Sequence, residues 1–356
     1  MKRRWTEEEA WAWQKKVGWL RGCNFIGSDC ANRIDMWQSY KSDEHLETAE
    51  REIALCQKIG FNTVRLIVEF DVWAQEHDSF MDMLEKYIAL SAKYGQKVMF
   101  VLANEAVLCR GEKYTPKPLG EQAYALGYHQ GRLPLTPEQK ALTPYHELER
   151  PETREKYLEM VREIVTKYRD DERIICWNVY NEPGISIGAE RSLPLIKLMF
   201  DTVRACDPSQ PLASDIWYWR DLDNLLPNDA LGAELSDVIS WHCYNRLKDF
   251  VVCYEALKKH GRPILLTEWL NRVSGQYVYD TYPVIYLERI NCWCWGFVAG
   301  KTQTYEPWDS LWDRYESGGT RYDFTRWQHD LFRPNLRPYD PGEIELIESF
   351  NSKVPV

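Results

Sequence analysis

Apolar and polar positions alternate between two periods from one end of the chain to the other. Short, nearly continuous apolar runs predict strands buried on both faces, and stripes at helical spacing predict helices between them. The first strand is predicted over Trp19–Ile26. A helix capped by Asp43 follows, with Leu46, Ala49, Ile53, Cys56 and Ile59 on one face and Gly60 as its stop. Phe61–Val68 is the second strand, and Phe80, Met83, Leu84, Tyr87 and Ile88 mark the next helix, ending at Gly95. The third strand, Lys97–Ala103, opens into a polar segment rich in Gly and Pro. Tyr157, Met160, Val161, Ile164, Val165 and Tyr168 resume the helical pattern. Arg173–Tyr180 and Leu193–Cys206 form the fourth strand and helix. The fifth unit is faint: Pro211–Asp215 is its only strand candidate and its helix is unclear. The sixth pair is Val238–Tyr244 and Phe250–His260, the seventh Pro263–Glu268 and Tyr279–Ile290. The eighth strand is Asn291–Val298, and a last helix follows at Glu343–Phe350.

Eight strand–helix units without a break predict an α/β fold, a (β/α)8 TIM barrel spanning 1–356 as one domain. Within it, 1–18 is an N-terminal helix, and 104–151 and 299–340 are long loops at the catalytic face. A doubly wound open sheet is the rival. It would place a glycine-rich phosphate loop after the first strand, and the stretch from Gly22 to Ser28 does not match G-x-G-x-x-G.

Composition narrows the function. With 356 residues, 44% of them hydrophobic, the chain can fill such a core, and its net charge of −10 argues against a nucleic-acid partner. No run is long and apolar enough to span a membrane. Met1–Arg4 leads into acidic residues rather than a signal-peptide core, which makes a cytoplasmic location the expectation. The ten cysteines form no C-x-x-C pair, and the seven histidines form no H-x-H or H-E-x-x-H motif, so neither a metal nor a cofactor is expected. Cys292 and Cys294, two apart on one strand, read as core residues rather than ligands. The unusual feature is aromatic: 16 Trp and 21 Tyr. Many stand beside polar residues near strand ends, as in Trp217-Tyr218-Trp219, Trp269, Trp308 and Trp312. A flat sugar face packs on such rings while its hydroxyls take polar partners.

In a parallel barrel the chemistry sits where strands end. Here the second strand carries Arg65, and the third ends at Asn104-Glu105. The fourth ends at Asn181-Glu182-Pro183, the sixth carries His242 and Tyr244, and the seventh ends at Glu268-Trp269. The eighth carries Trp293 and Trp295. Glycosidic cleavage needs one carboxyl to protonate the leaving oxygen and another, ionised, to attack the anomeric carbon; retention requires them about 5 Å apart. Glu182 and Glu268 fit those roles. Each residue also has a plainer reading: Arg65 paired with Glu69 or Asp71 at the surface, His242 as a core histidine, Glu105 as a solvated loop acid.

Asn-Glu-Pro after a strand, with a later strand ending in Glu-Trp, resembles the clan of (β/α)8 retaining glycoside hydrolases, closest to the cellulase-like family five and its relatives. The resemblance implies Glu182 as acid/base, Glu268 as nucleophile, Asn181 at the sugar 2-hydroxyl and Arg65 beside the nucleophile. His242 and Tyr244 match the strand-six pair, and Trp295 or Trp293 the platform under the sugar. Asn104-Glu105 departs from it, because family-five enzymes often carry a histidine close after strand three. Asn104 and Trp308 join the predicted substrate contacts. The expected activity is retaining β-glycoside hydrolysis by double displacement on a β-linked oligosaccharide or glycoside, with the long loops shortening the cleft to a pocket. The alternatives are an open-groove endo-glycanase on a β-1,4-linked polysaccharide and a non-catalytic carbohydrate-binding barrel. Oligomeric state has no signature in the sequence.

Overall fold

In a computed structural model, which describes residues 3–106, 109–124, 138, 141–218, 224–319 and 322–354, the strands close into a barrel. They are β1 (Arg21–Asn24), β2 (Thr63–Ile67), β3 (Lys97–Val101), β4 (Ile174–Tyr180), β5 (Leu212–Ile216), β6 (Ile239–His242), β7 (Ile264–Trp269) and β8 (Asn291–Cys294). Each pairs in parallel with the next, and β8 closes on β1. At Gly22 a side chain is impossible, because a Cβ would lie 1.8 Å from the Thr63 carbonyl oxygen on β2.

Two apolar layers follow from the burial of both strand faces. The outer layer lies between strands and helices. The inner one fills the bottom of the barrel with Leu20, Met99, Cys176, Ala213, Leu265 and Trp293. The N-terminal helix, Glu7–Val17, packs Ala10, Trp13 and Val17 against that inner layer. Thr6 starts this helix with a reciprocal capping box to Glu9. Asp43 does not cap the next helix: it lies in the first turn of Ser42–Lys58, and Lys41 holds the cap position without a side-chain hydrogen bond.

The faint fifth unit is real. Two of the five residues of β5, Ser214 and Asp215, are polar and buried. Asp215 takes its hydrogen bonds inside the barrel and Ser214 faces the helix that follows, so the apolar run that marks the other strands is interrupted. Its helix, Pro227–Leu235, is short and carries Gly232, where a Cβ would lie 3.2 Å from Ser214 Oγ. Close helix–strand packing thus selects the residue that weakens the helical pattern.

The segment after β3 is tied down where it is described. It forms a two-stranded pair, Cys109–Arg110 with Pro144–Tyr145, and a short 3-10 turn at Glu147–Glu149. The segment after β8 carries a helix at Asp309–Glu316 that the sequence pattern does not predict. Nine cysteines are buried among the described residues. Burial holds the Cys292 thiol up to about 12, consistent with core packing. No helix among the described residues is long and apolar enough to cross a membrane.

Candidate active site

Arg65 organises the mouth of the barrel. It projects inward from β2, fully buried, and its guanidinium donates to four strand-end partners. Nη1 reaches Asn24 Oδ1 at 2.6 Å and Glu268 Oε1 at 2.9 Å; Nη2 reaches Asn181 Oδ1 at 2.6 Å and Asp215 Oδ2 at 3.1 Å. The rival surface pairing does not form: Glu69 and Asp71 take Lys117 instead, at 2.7 and 3.1 Å. The planar fork of arginine suits this arrangement, since a lysine ammonium cannot serve four fixed acceptors in one plane.

Glu268, at the end of β7, is held from two sides. Tyr244 Oη donates to its Oε2 at 2.8 Å, opposite the Arg65 bond. Burial, then the negative charge of Tyr244's neighbour Glu268, push the Tyr244 phenol well above its usual range, so it remains a donor. Burial raises the carboxyl pKa of Glu268. His242 opposes this, Glu182's charge adds to it, and Arg65 and Tyr244 act against it.

Glu182 follows β4 with a left-handed backbone (φ 44°), an uncommon conformation for a residue with a side chain. His242 lies between the two glutamates. Its Nδ1 is 2.7 Å from Glu182 Oε1 and 3.4 Å from Glu268 Oε2. One carboxylate oxygen of each glutamate and a ring nitrogen of His242 all lie within 4.8 Å of one another. Three such groups can also hold a cation. Here the Arg65 guanidinium already brings a positive charge into the cluster.

The structure brings Arg65, Asn181, Glu182, His242, Tyr244 and Glu268 together. Asn104 joins them through Asn181, whose Nδ2 donates to its Oδ1 at 2.8 Å. Trp308 stands edge-on to Tyr244, with ring centroids 4.7 Å apart. Trp295, just past β8, lines a small cavity of about 30 Å³ with Asn24, Arg65, Arg33 and Met36. Trp293 is not at the mouth. It is 0% exposed in the bottom layer of the barrel, where its Nε1 approaches Thr63 Oγ1 at 3.4 Å. Strand alternation alone places Trp293 and Trp295 on the same face, but they sit at different depths, and depth decides access. Of the aromatic run after β5, Trp217 and Tyr218 are half-buried, and Trp219 lies outside the described residues.

Glu105 is likewise corrected: it is fully buried, not a solvated acid. It accepts from Tyr180 Oη at 2.9 Å, Ser192 Oγ at 2.8 Å and the Gly184 backbone N–H at 3.0 Å. It therefore fastens the loop that carries Glu182. Asp215, on β5, escapes the sequence reading, which notes it only as the end of a faint strand. Nothing in the local sequence distinguishes it; only closure of the barrel sets it beside Arg65 and His242.

The loops around the site are laced together. Tyr114 Oη donates to Asp71 Oδ1 at 2.5 Å, and Gly120 exchanges two hydrogen bonds with Gln38 at 2.7 and 2.8 Å. Asn32 Nδ2 donates to Gln122 Oε1 at 2.9 Å. From the segment after β8, the Lys301 backbone N–H donates to the Ser28 carbonyl at 2.8 Å.

A closed parallel barrel with paired carboxylates at its strand ends is the architecture of a retaining glycoside hydrolase. Residues 21–295 match the family described as Cellulase (glycosyl hydrolase family 5), and the chain belongs to that family. Among solved structures it is similar to an exo-β-1,4-mannosidase from Opitutaceae bacterium strain TAV5, at 16% identity over 94% of this chain and 59% of that one, TM-score 0.59. A family 5 mannosidase from Rhizomucor miehei is similar at 12% identity over 94% and 92% of the two chains, TM-score 0.55. A β-1,4-mannanase from the common sea hare Aplysia kurodai is similar at 13% identity over 78% and 87%, TM-score 0.53. At these identities the likeness concerns the fold. No curated protein matches the chain.

Proposed function

We infer that the protein removes a terminal sugar from a β-linked oligosaccharide or glycoside by double displacement, with Glu182 as general acid/base and Glu268 as nucleophile. The observation that carries this reading is that one oxygen of the Glu182 carboxylate lies within 4.8 Å of one oxygen of the Glu268 carboxylate. Inverting enzymes keep theirs roughly 6.5–9.5 Å apart to admit a water between them. Arg65 and Tyr244 aim one oxygen each of Glu268, so the carboxylate needs little reorganisation to reach an anomeric carbon. Glu182 protonates the departing oxygen as Glu268 forms the glycosyl ester. The Glu182 carboxylate then takes a proton from water, and that water cleaves the ester with net retention.

The lacing of 114–122 onto the loops after β1 and β2, and of Lys301 onto Ser28, supports a walled pocket over an open groove. Such a pocket takes the end of a chain, with Trp295 beside the bound sugar and Trp308 toward the leaving group. β-Mannosides are the first substrates to test, because two of the structural neighbours are mannosidases.

Aryl β-mannosides, glucosides, galactosides and xylosides should be screened, with the anomer of the first product followed by NMR. Glu268→Gln is expected to abolish turnover while the protein stays folded. Glu182→Ala should cost about 10²–10⁴-fold on glycosides with poor leaving groups and far less on nitrophenyl glycosides, which need no proton. Full activity of Glu268→Gln would refute the assignment. Cuts in the middle of a long polysaccharide would replace the pocket by an endo-acting groove.

A further inference from the structure

The assigned pair leaves one buried acid unexplained. Asp215, 1% exposed on β5, accepts from Asn178 Nδ2 at 2.7 Å, from Thr267 Oγ1 at 3.1 Å and from Ser240 Oγ through Oδ1. Its Oδ2 faces Arg65 Nη2 at 3.1 Å and His242 Nε2 at 3.4 Å. The contact with His242 is ionic rather than an aligned hydrogen bond. So His242 has a carboxylate on each side: Asp215 at Nε2, and Glu182 and Glu268 at Nδ1.

We propose that Asp215 is a positioning residue that keeps His242 doubly protonated, so that the buried cluster carries no net charge through both halves of the reaction. This rests on the roles inferred for Glu182 and Glu268. Before attack, the charges on Arg65, His242, Asp215 and Glu268 cancel, with Glu182 protonated. When Glu268 becomes an ester it loses its charge, and Glu182, having given its proton to the leaving group, acquires one. The total is again zero. The negative charge moves from one face of His242 Nδ1 to the other, across a fixed cation. Were Asp215 neutral, the cluster would be cationic in both states and His242 would shed its proton. Were His242 neutral beside an ionised Asp215, an uncompensated anion would stay buried throughout, which is costly.

The remaining groups around His242 agree with this account. Tyr244 is a neutral donor. Asp229, on the helix after β5, is fully buried and feels the charge of Glu182. Burial, and then the charge of Glu182, hold the Asp229 carboxyl up to about 7, so below that pH it adds no charge. Burial opposes protonation of His242, but the charges of Glu268 and Asp215 overcome it and raise the imidazole to about 10. Burial likewise opposes ionisation of Asp215, and His242 and Arg65 outweigh it, keeping the acid well below its usual range.

The test is a histidine-ring NMR titration of the intact enzyme, with the His242 signals assigned by their loss in His242→Gln. In the wild type His242 should remain an imidazolium to about pH 10. In Asp215→Asn it should titrate about one to three pH units lower. The alkaline limb of kcat/KM should move to lower pH with it, and KM should stay within about twofold because Asp215 does not reach the substrate. Two results would overturn the proposal. One is a wild-type His242 titrating near the ordinary ~6.5; this arm decides even if Asp215→Asn does not fold. The other is a variant that loses activity equally at every pH, as a purely structural role would give. Activity surviving in Glu268→Gln would instead overturn the roles of the glutamates, and the titration would still report on Asp215 and His242.

Discussion

Replacing Tyr244 by Phe removes one hydroxyl and keeps the ring. That hydroxyl donates to Glu268 Oε2 at 2.8 Å, and Arg65 holds the other oxygen at 2.9 Å. A hydrogen bond to a charged group contributes about 1.5–3 kcal/mol. The lower figure applies here, because Arg65 and His242 still stabilise the carboxylate and do more to lower its pKa than Tyr244 does. At about 1.4 kcal/mol per unit, losing the bond raises the pKa of Glu268 by about one unit. As the proposed nucleophile Glu268 must be ionised, so the acid limb of kcat/KM should move up by that unit. Below the limb the variant should be about tenfold slower than wild type; on the plateau it should lose only what poorer aiming costs. The ring still packs edge-on to Trp308, so the loss of stability should be confined to that one bond, about 1.5 kcal/mol at pH values where Glu268 is ionised. The assay is a pH series of initial rates on the best aryl glycoside, with urea unfolding alongside. An acid limb that stays put while the rate falls equally at all pH values would refute the claim that Tyr244 supports the ionised form of Glu268.

Two further outcomes separate the mouth of the barrel from its floor. Trp295→Ala should raise KM about tenfold with little change in stability, whereas Trp293→Ala should leave KM of the folded fraction unchanged and cost about 3–5 kcal/mol in urea unfolding, as buried aromatic truncations do; equal effects on KM would contradict the depths described. Glu105→Ala strips the acceptor from Tyr180, Ser192 and the Gly184 backbone N–H. A loss of about 3 kcal/mol is expected, with kcat falling further than folding alone explains because the loop bearing Glu182 loosens.

How much of this was legible in the sequence depends on which interactions are local. Seven of the eight strands announce themselves, since a strand covered on both faces must be apolar throughout; Glu182 and Glu268 follow from finding where those runs stop, and Arg65 stands out as the one charged residue within the second. β5 is obscured by the polar residues that make it useful. Ser214, on the helix side, donates to the Tyr180 carbonyl, and Asp215, inside the barrel, accepts from Asn178, Ser240 and Thr267, partners from β4, β6 and β7 that no local window contains. Glu105 misleads for the same reason: beside Asn104, at the start of a polar segment, it reads as solvated, and only the return of the chain at Gly184 and Ser192 buries it. Trp293 and Trp295 share a strand face, and the sequence carries no measure of depth along the barrel axis.

The two misread acids, Glu105 and Asp215, share a property that bears on how this barrel works. Neither is among the residues inferred to touch the sugar, yet each is saturated with donors and tied to a group that is. Glu105 holds the loop after Glu182, which carries the left-handed backbone at that residue. Asp215 holds the charge of the histidine between the glutamates. A carboxyl group is suited to both tasks because it accepts several hydrogen bonds at once, and burial makes each of those bonds expensive to break. The reactive pair therefore needs no stiffness of its own. In the proposed double displacement Glu182 passes from acid to base and Glu268 from nucleophile to leaving group, while Glu105 and Asp215 keep their hydrogen-bond partners.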